Sequence, residues 1–378
     1  MAGGQKWQAI YNISCTIRGT LQNKIRVSYY DVIIIGGGQS ALATAYYLRR
    51  TRYTFQLLDA QEAPGGAWRH GWDSLTTFSP ARYSSLPGWL MPQTEGPYPT
   101  RDEVIDYLRQ YETRYHIPVV RPVVVKAVHW YNDWFHIHTT NGKYYSRCLV
   151  SATGTWQAPF VPAIPGQSVF AGRQLHSSAY RSPIPFREKR ILVIGEGNSG
   201  AQILADLVPY ARDVHWATRQ EPRFLPKEVD GRVLFAMASA KYYAERKGET
   251  FDAAPLNLGN IVLVPSIRTA YREGLLVSRG RIDRIIPQGV VWQDGRTDDY
   301  DVLIWCTGFH YATGHLEGLV PRDHRGRVAT DGTRATEQDG LWLVGYGGWT
   351  GFASATMIGV GRSARQTVQD ITAYLEGR

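Results

Sequence analysis

Two glycine clusters carry the clearest chemical signal in this sequence. The first is Gly36-Gly37-Gly38-Gln39-Ser40-Ala41 and the second is Gly195-Glu196-Gly197-Asn198-Ser199-Gly200. Each follows a short strand, Val32 to Ile35 or Arg190 to Ile194, and each opens a segment with helical spacing. Strand, glycine turn and helix in that order present free backbone N–H groups and the positive end of a helix dipole to a pyrophosphate. In the first cluster Gly36 allows the tight turn, Gly38 lets the backbone approach the phosphates, and Ala41 lets helix and strand pack closely. A second apolar run, Phe55 to Leu58, ends on Asp59, which lies 59 − 36 = 23 residues past the first glycine. That spacing suits an acid accepting a hydrogen bond from a ribose hydroxyl.

The second cluster differs at that last position. Its following strand, Val214 to Ala217, ends on Thr218-Arg219-Gln220 and not on an acid. An acid there would repel a 2′-phosphate, whereas Arg219 could pair with one. The pattern points to NADPH, with NADH open through Thr218 or Gln220.

The elements that position these turns can be read around them. A chain of 378 residues is long enough for two domains with separate cores. The net charge of +9 raises the question of nucleic acid, but the arginines are scattered and no basic run occurs, so a phosphate-bearing cofactor is the better account. Cys15, Cys148 and Cys306 form no C-x-x-C, which excludes a redox dithiol and a cysteine zinc site and suits a reducing, cytoplasmic setting. No apolar run approaches the length of a membrane span. Residues 1–28 lack a charged start followed by a long apolar core; they are read as an accessory extension or the product of an upstream start codon, with no function assigned.

Beyond Asp59, Pro64-Gly65-Gly66-Ala67-Trp68 either lays backbone against a flat ring with Trp68 beside it or is a loop holding a core tryptophan. Trp72 to Pro99 is irregular and is expected to wall the cofactor. Thr100 caps a helix running to about Tyr115. Val123 to Val150 reads as a three-stranded meander turning at Asn141-Gly142. His136 and His138 share a strand face without a third ligand, so no metal site is expected. Pro159, Pro162 and Pro165 mark a boundary, after which the pattern repeats. The offsets are 195 − 36 = 159 for the glycine turns, 294 − 141 = 153 for the hairpins and 307 − 153 = 154 for two Thr-Gly pairs. Arg223 to Arg272 is an insertion that lines a substrate entrance or is purely structural, and it holds a helix from Val233 to Arg246. A strand from Leu341 to Gly345, a glycine-aromatic turn and a helix from Phe352 to Leu375 close the chain. The helix N-terminus could stabilise negative charge on a reduced ring. The expected fold is α/β with two Rossmann-like dinucleotide-binding domains, each a parallel sheet with helices and an added β-meander. One comprises 29–158 with 306–378, the other 159–305.

Between the two turns, Phe170-x-Gly172-x-x-x-His176-x-x-x-Tyr180 resembles the fingerprint of the flavin-containing monooxygenases. Gly65-Gly66-Ala67-Trp68 and Ala152-Thr153-Gly154 also fall where that family has them. The resemblance runs from Tyr30 to the C-terminus and looks strongest to the compact bacterial group, including the monooxygenases of arsenic-resistance operons. It implies that the first unit binds FAD through Gly36, Gly38, Gln39, Ser40, Ala41, Asp59, Gly66, Trp68, Thr153, Gly154, Gly308 and Thr350. It implies that the second binds NADPH or NADH through Gly195, Gly197, Asn198, Ser199, Gly200, Thr218, Arg219 and Gln220, with His176 and Tyr180 as linker and cofactor-positioning residues. It further implies that O2 is a co-substrate. One oxygen atom would pass through a C4a-hydroperoxide of the flavin to a small apolar sulfide, amine or ketone, with no protein nucleophile and no metal.

One departure stands out. Phe78 occupies, or adjoins, the position of the family's active-site asparagine, and a ring cannot hydrogen-bond as an amide does. A faster leak to hydrogen peroxide is the expected consequence. Two alternatives need only the nucleotide sites: an NAD(P)H-dependent flavin reductase or oxidase serving a quinone or other acceptor, and a redox-sensing binding protein. No membrane or nucleic-acid partner is expected, and a homodimer is compatible with the sequence.

Overall fold

The computed structural model describes residues 27–226, 228–249, 260–351 and 353–377. Cys15, almost all of the expected N-terminal extension, Phe352 and, within the expected insertion, residues 227 and 250–259 lie outside the described residues.

The first unit opens with β1 (Val27–Ile35), α1 (Gln39–Leu48) and β2 (Phe55–Leu58). It continues through α2 (Arg101–Arg114), β3 (Val119–Val120), β4 (Val125–Tyr131), β5 (Trp134–Thr139) and β6 (Gly142–Ser151). The chain then builds a second unit from β7 (Arg173–His176), β8 (Arg190–Ile194), α3 (Asn198–Leu207) and β9 (Asp213–Ala217). Helices α4 (Gly231–Lys247) and α5 (Pro265–Arg272) precede β10 (Ile282–Ile286), β11 (Gly289–Trp292), β12 (Thr297–Asp299) and β13 (Val302–Trp305). The chain ends with β14 (Thr330–Asp331), β15 (Arg334–Ala335), β16 (Leu341–Leu343) and α6 (Met357–Glu376), the last starting five residues later than the sequence pattern predicted.

The first sheet runs β14-β15-β16-β6-β1-β2-β3 and is parallel from β16 to β3; the second runs β7-β13-β8-β9 and is parallel throughout. Strands buried on both faces of such sheets read as unbroken apolar runs. Alternation appears instead in which core each residue enters. Val32 and Ile34 join one cluster with α1 and α6, while Ile33 and Ile35 join another with the meander. Ile191 and Val193 likewise face α3, and Leu192 and Ile194 face the opposite core. Each of these side chains contributes about 1.5–3 kcal/mol by burial. The expected helix at Thr100 forms with a complete capping box, in which the Thr100 side chain and Glu103 exchange hydrogen bonds with each other's backbone.

The repeat of the meander is looser than the offsets imply. In the first unit β6 is one ten-residue strand: it pairs with β5 antiparallel and with β1 parallel, joining meander to sheet. In the second unit the corresponding strand is split into β12 and β13 by Tyr300 and Asp301, and β10-β11-β12 stands as a separate antiparallel sheet. Asp301 accepts from Arg190 N at 2.8 Å and its O accepts from Arg173 N at 3.0 Å. These bonds turn the chain out of the meander and into the parallel sheet.

Candidate functional site

Both glycine turns sit at the C-terminal ends of their first strands, as the parallel topology requires. Gly36 has φ +118°, and a Cβ there would lie 2.5 Å from Ala152 O. A Cβ on Gly66 would meet Gly38 Cα at 2.7 Å, and one on Gly37 would overlap the Asp59 carboxylate. The two turns that carry these glycines are therefore packed tightly, Gly36 and Gly66 against backbone and Gly37 against the Asp59 side chain, and only glycine fits. Helices α1 and α3 begin at Gly38 and Gly197 with no side-chain cap and no acid in the first turn, whereas Thr100 and Thr356 cap α2 and α6. Uncapped N–H groups at both turns suit phosphate.

A cavity of about 620 Å³ opens in front of the first turn. Gly36, Gly38, Gln39, Ser40, Asp59, Gly66, Trp68, Thr153 and Gly154 line it, as does Phe78. Gln39 joins three of its walls: its amide donates to Ala355 O at 2.6 Å and its Oε1 accepts from Trp68 Nε1 at 3.2 Å. Asp59, 3% exposed, accepts from Gln61 N at 3.1 Å and from Arg121 Nε at 3.0 Å. Burial pushes its carboxyl above the usual range, against the pull of the Gln61 amide and Arg121. Arg121 is itself held by both oxygens of Glu112, a brace that no local motif in the sequence announced. The uncapped turn, the glycine cradle and the recessed acid fit FAD.

The far wall comes from the other unit. Asn198, Leu234, Phe235 and Val262 face the same cavity as the first turn, and the N-terminus of α6 reaches it through Thr356, Met357 and Ile358. Asn198 Oδ1 accepts from Val262 N at 2.9 Å. Phe78 sits against the start of α4, where its carbonyl accepts from Gly231 N at 2.7 Å. Both glycine-turn helices thus reach one space.

Several expected contacts lie elsewhere. Ala41 is buried in the core beneath the turn. Thr350 is fully buried and ties off its own loop: its hydroxyl accepts from Tyr346 N at 3.0 Å and meets Ser354 Oγ at 2.9 Å. Gly308 does not line the cavity; its carbonyl accepts from Phe160 N and from His176 Nε2, both at 3.0 Å. His176 Nδ1 accepts from Ser178 N, which fixes Nε2 as the donor, and burial pushes the ring's pKa down. Tyr180 has no exposed surface and donates to Asp206 Oδ2 of α3 at 2.7 Å. His176 and Tyr180 thus tie the crossover to Gly308 and to α3. Of the residues expected at the second nucleotide, Asn198 alone lines the cavity. Gly195, Gly197, Ser199, Gly200, Thr218, Arg219 and Gln220 gather at the outer ends of β8 and β9.

Sequence reasoning also missed a buried relay beneath the cavity. Thr153 Oγ1 donates to Ala312 O at 2.7 Å, so in its 2.7 Å contact with Tyr346 the phenol must donate. Tyr346 then accepts from Ser151 at 2.6 Å, and Ser151 from His315 Nε2 at 3.1 Å. His315 is 7% exposed, and burial, with Arg322 nearby, pushes it down to about 4. The proton order needs a hydrogen on Nε2, which the neutral Nε2–H tautomer supplies. These residues are spread over almost two hundred positions, with no shared motif to connect them.

The profile of the family described as "Pyridine nucleotide-disulphide oxidoreductase" matches residues 33–233. A flavin-containing monooxygenase from Stenotrophomonas maltophilia superposes with a TM-score of 0.84 at 44% identity, over 92% of this chain and 99% of that one. The chain belongs to the flavin-containing monooxygenase family. An uncharacterized CzcO-like oxidoreductase of Geobacillus kaustophilus is 29% identical over 90% of this chain and 98% of its own length. A probable indole-3-pyruvate monooxygenase of Arabidopsis thaliana is 28% identical over 93% and 92% respectively. This family member is accordingly an NAD(P)H-dependent oxidoreductase that uses FAD and O2. Among the described residues no helix is long and apolar enough to cross a membrane.

Proposed function

We propose that this family member transfers one oxygen atom of O2 to a small, apolar, soft nucleophile, a sulfide or amine, with ketone insertion as the related reaction. The supporting observation is the single cavity lined by the first glycine turn and by Asn198 at the start of α3. In this reading 29–158 with 306–378 hold FAD and 159–305 hold the nicotinamide nucleotide, in the cytoplasm. When bound, FAD supplies the hydride acceptor and the oxygen-activating centre. The chain's residues bind, orient and exclude water. Gly36, Gly38 and the N–H groups of Gln39 and Ser40 take the pyrophosphate, and Asp59 takes the ribose. Gly66 and Trp68 lie along the ring system, while Thr153 and Gly154 support it over the Tyr346 relay. Phe78, Leu234 and Phe235 supply apolar wall for a neutral substrate, which suits a soft nucleophile better than a charged one. Thr218, Arg219 and Gln220 face the second nucleotide's adenosine end.

The test is turnover of methyl phenyl sulfide with NADPH under 18O2. Heavy oxygen in the sulfoxide, in proportion to NADPH used, is the expected result. NADPH consumption with all oxygen recovered as peroxide, or faster turnover with a quinone and no labelled product, would identify a reductase or oxidase instead.

A further inference from the structure

The second strand of the second unit ends without an acid, yet the structure supplies one. Glu196, inside the glycine turn between Gly195 and Gly197, folds over the end of β9. Its Oε2 accepts from Arg219 N at 2.9 Å and Gln220 N at 3.3 Å, and its Oε1 accepts from Arg219 Nη2 at 2.9 Å. The Glu196 side chain is 33% exposed and that of Arg219 is 78% exposed. The carboxylate is thus anchored by two backbone amides, which cannot swing away, while the guanidinium is a long side chain standing mostly in water. Thr218, the other candidate, has its hydroxyl committed to Gln220 O at 2.7 Å and Ser278 Oγ at 2.6 Å.

In a dinucleotide-binding βαβ unit the adenosine ribose lies between the glycine turn and the end of the second strand. A 2′-hydroxyl donates to a carboxylate there. A 2′-phosphate brings negative charge and needs a cation. Here the fixed group is the anion, and the cation is spent on it. A 2′-hydroxyl therefore finds its acceptor in place, whereas a 2′-phosphate has to draw Arg219 off Glu196 and then sit beside a carboxylate that stays.

We propose that Glu196 is the specificity-determining residue of the second nucleotide site: it accepts from the ribose 2′-hydroxyl of NADH and holds down the affinity for the 2′-phosphate of NADPH. Arg219 is a counterion shared between Glu196 and any phosphate, not a free 2′-phosphate receptor. The proposal rests on Gly195–Gly200 being the nicotinamide nucleotide turn.

The test is equilibrium titration of the FAD-loaded protein with NAD+ and with NADP+, followed by calorimetry, for wild type, Glu196→Gln and Arg219→Gln. Glu196→Gln keeps an oxygen for the two backbone donors, and its melting temperature and flavin content are expected to match wild type. NADP+ is expected to bind it about tenfold more tightly, and NAD+ severalfold more weakly. Arg219→Gln is expected to weaken NADP+ about tenfold and to leave NAD+ within about twofold, because the phosphate then meets the carboxylate alone. If Glu196→Gln leaves the ratio of the two affinities unchanged, or if Arg219→Gln weakens both nucleotides equally, Glu196 is only a structural clasp and the proposal falls. If neither nucleotide binds the wild-type protein, the reading of the turn itself falls, an outcome distinct from an unchanged ratio.

Discussion

The two glycine turns have nearly the same sequence pattern and very different surroundings. At the first, Gly36, Gly37 and Gly66 are pressed against Ala152 O, Asp59 and Gly38, and the acid is buried on a second layer formed by Arg121 and Glu112. At the second, Gly195 is held as tightly, since a Cβ there would overlap Cys306 O, but a Cβ on Gly197 would meet nothing within 4 Å and the acid is a third exposed beside a solvated arginine. In the proposed reading the first is a cradle for a group that stays and the second a shelf for one that comes and goes. A two-nucleotide enzyme needs that difference, because the nicotinamide nucleotide must be exchanged between turnovers while the flavin is retained.

Alanine at Gly36 in the first turn and at Gly197 in the second is the strongest way to break this contrast. Gly36→Ala combines a positive φ with a 2.5 Å overlap against Ala152 O, and is expected to cost about 3 kcal/mol or more and yield protein lacking flavin. Gly197→Ala, whose φ of −98° suits any residue, is expected to keep its flavin and melting temperature and to change nicotinamide nucleotide affinity alone. Flavin absorbance per chain and thermal melting separate the two; equal damage from both would erase the distinction.

The relay under the first cradle gives a pH signature of similar size. Neutral His315 donates to Ser151, and its pKa falls from 6.5 to about 4 on folding. A depressed folded pKa stabilises above the unfolded value and is lost as pH falls through the folded one. Stability is therefore expected to drop by about 3 kcal/mol between pH 6.5 and 4. His315→Gln, which can still donate to Ser151, is expected to flatten that drop in denaturant titrations across the range. An unaltered pH slope in the variant would assign the acid sensitivity to other groups.

Asp59→Asn is a smaller perturbation. It removes the charge facing Arg121 and is expected to weaken FAD binding by about 1–3 kcal/mol with the fold intact, as read from flavin release on dilution. The smallest expected change is at Phe78, which lines the cavity without a polar contact from its ring. Phe78→Asn is expected to raise the share of NADPH converted to product over peroxide severalfold, about 1 kcal/mol in partitioning. An unchanged share would remove the ring from oxygen chemistry.

The parts legible in the sequence are local and periodic. Apolar runs at Val32–Ile35 and Ile191–Ile194, glycines required by backbone contact, and Thr100 with Glu103 all declare themselves within a few residues. The missed parts depend on distant chain segments meeting. Arg121 reaches Asp59 across 62 positions, and His315 reaches Ser151 across 164. Glu196 could have been noticed, being an acid inside a glycine turn, but its reach over β9 depends on side-chain direction. Tyr180 and Thr350 are both fully buried, bonded to Asp206 and to their own loop, a placement that no local pattern announces.

In the proposed reading one resident flavin meets an exchanging nicotinamide nucleotide in one cavity. The most direct measurement is anaerobic mixing of the purified, gel-filtered protein with NADH or NADPH while following flavin absorbance. One flavin per chain, bleached at a rate that saturates with nucleotide concentration, is the predicted result. Flavin lost on gel filtration, or retained flavin that neither nucleotide bleaches, would contradict it.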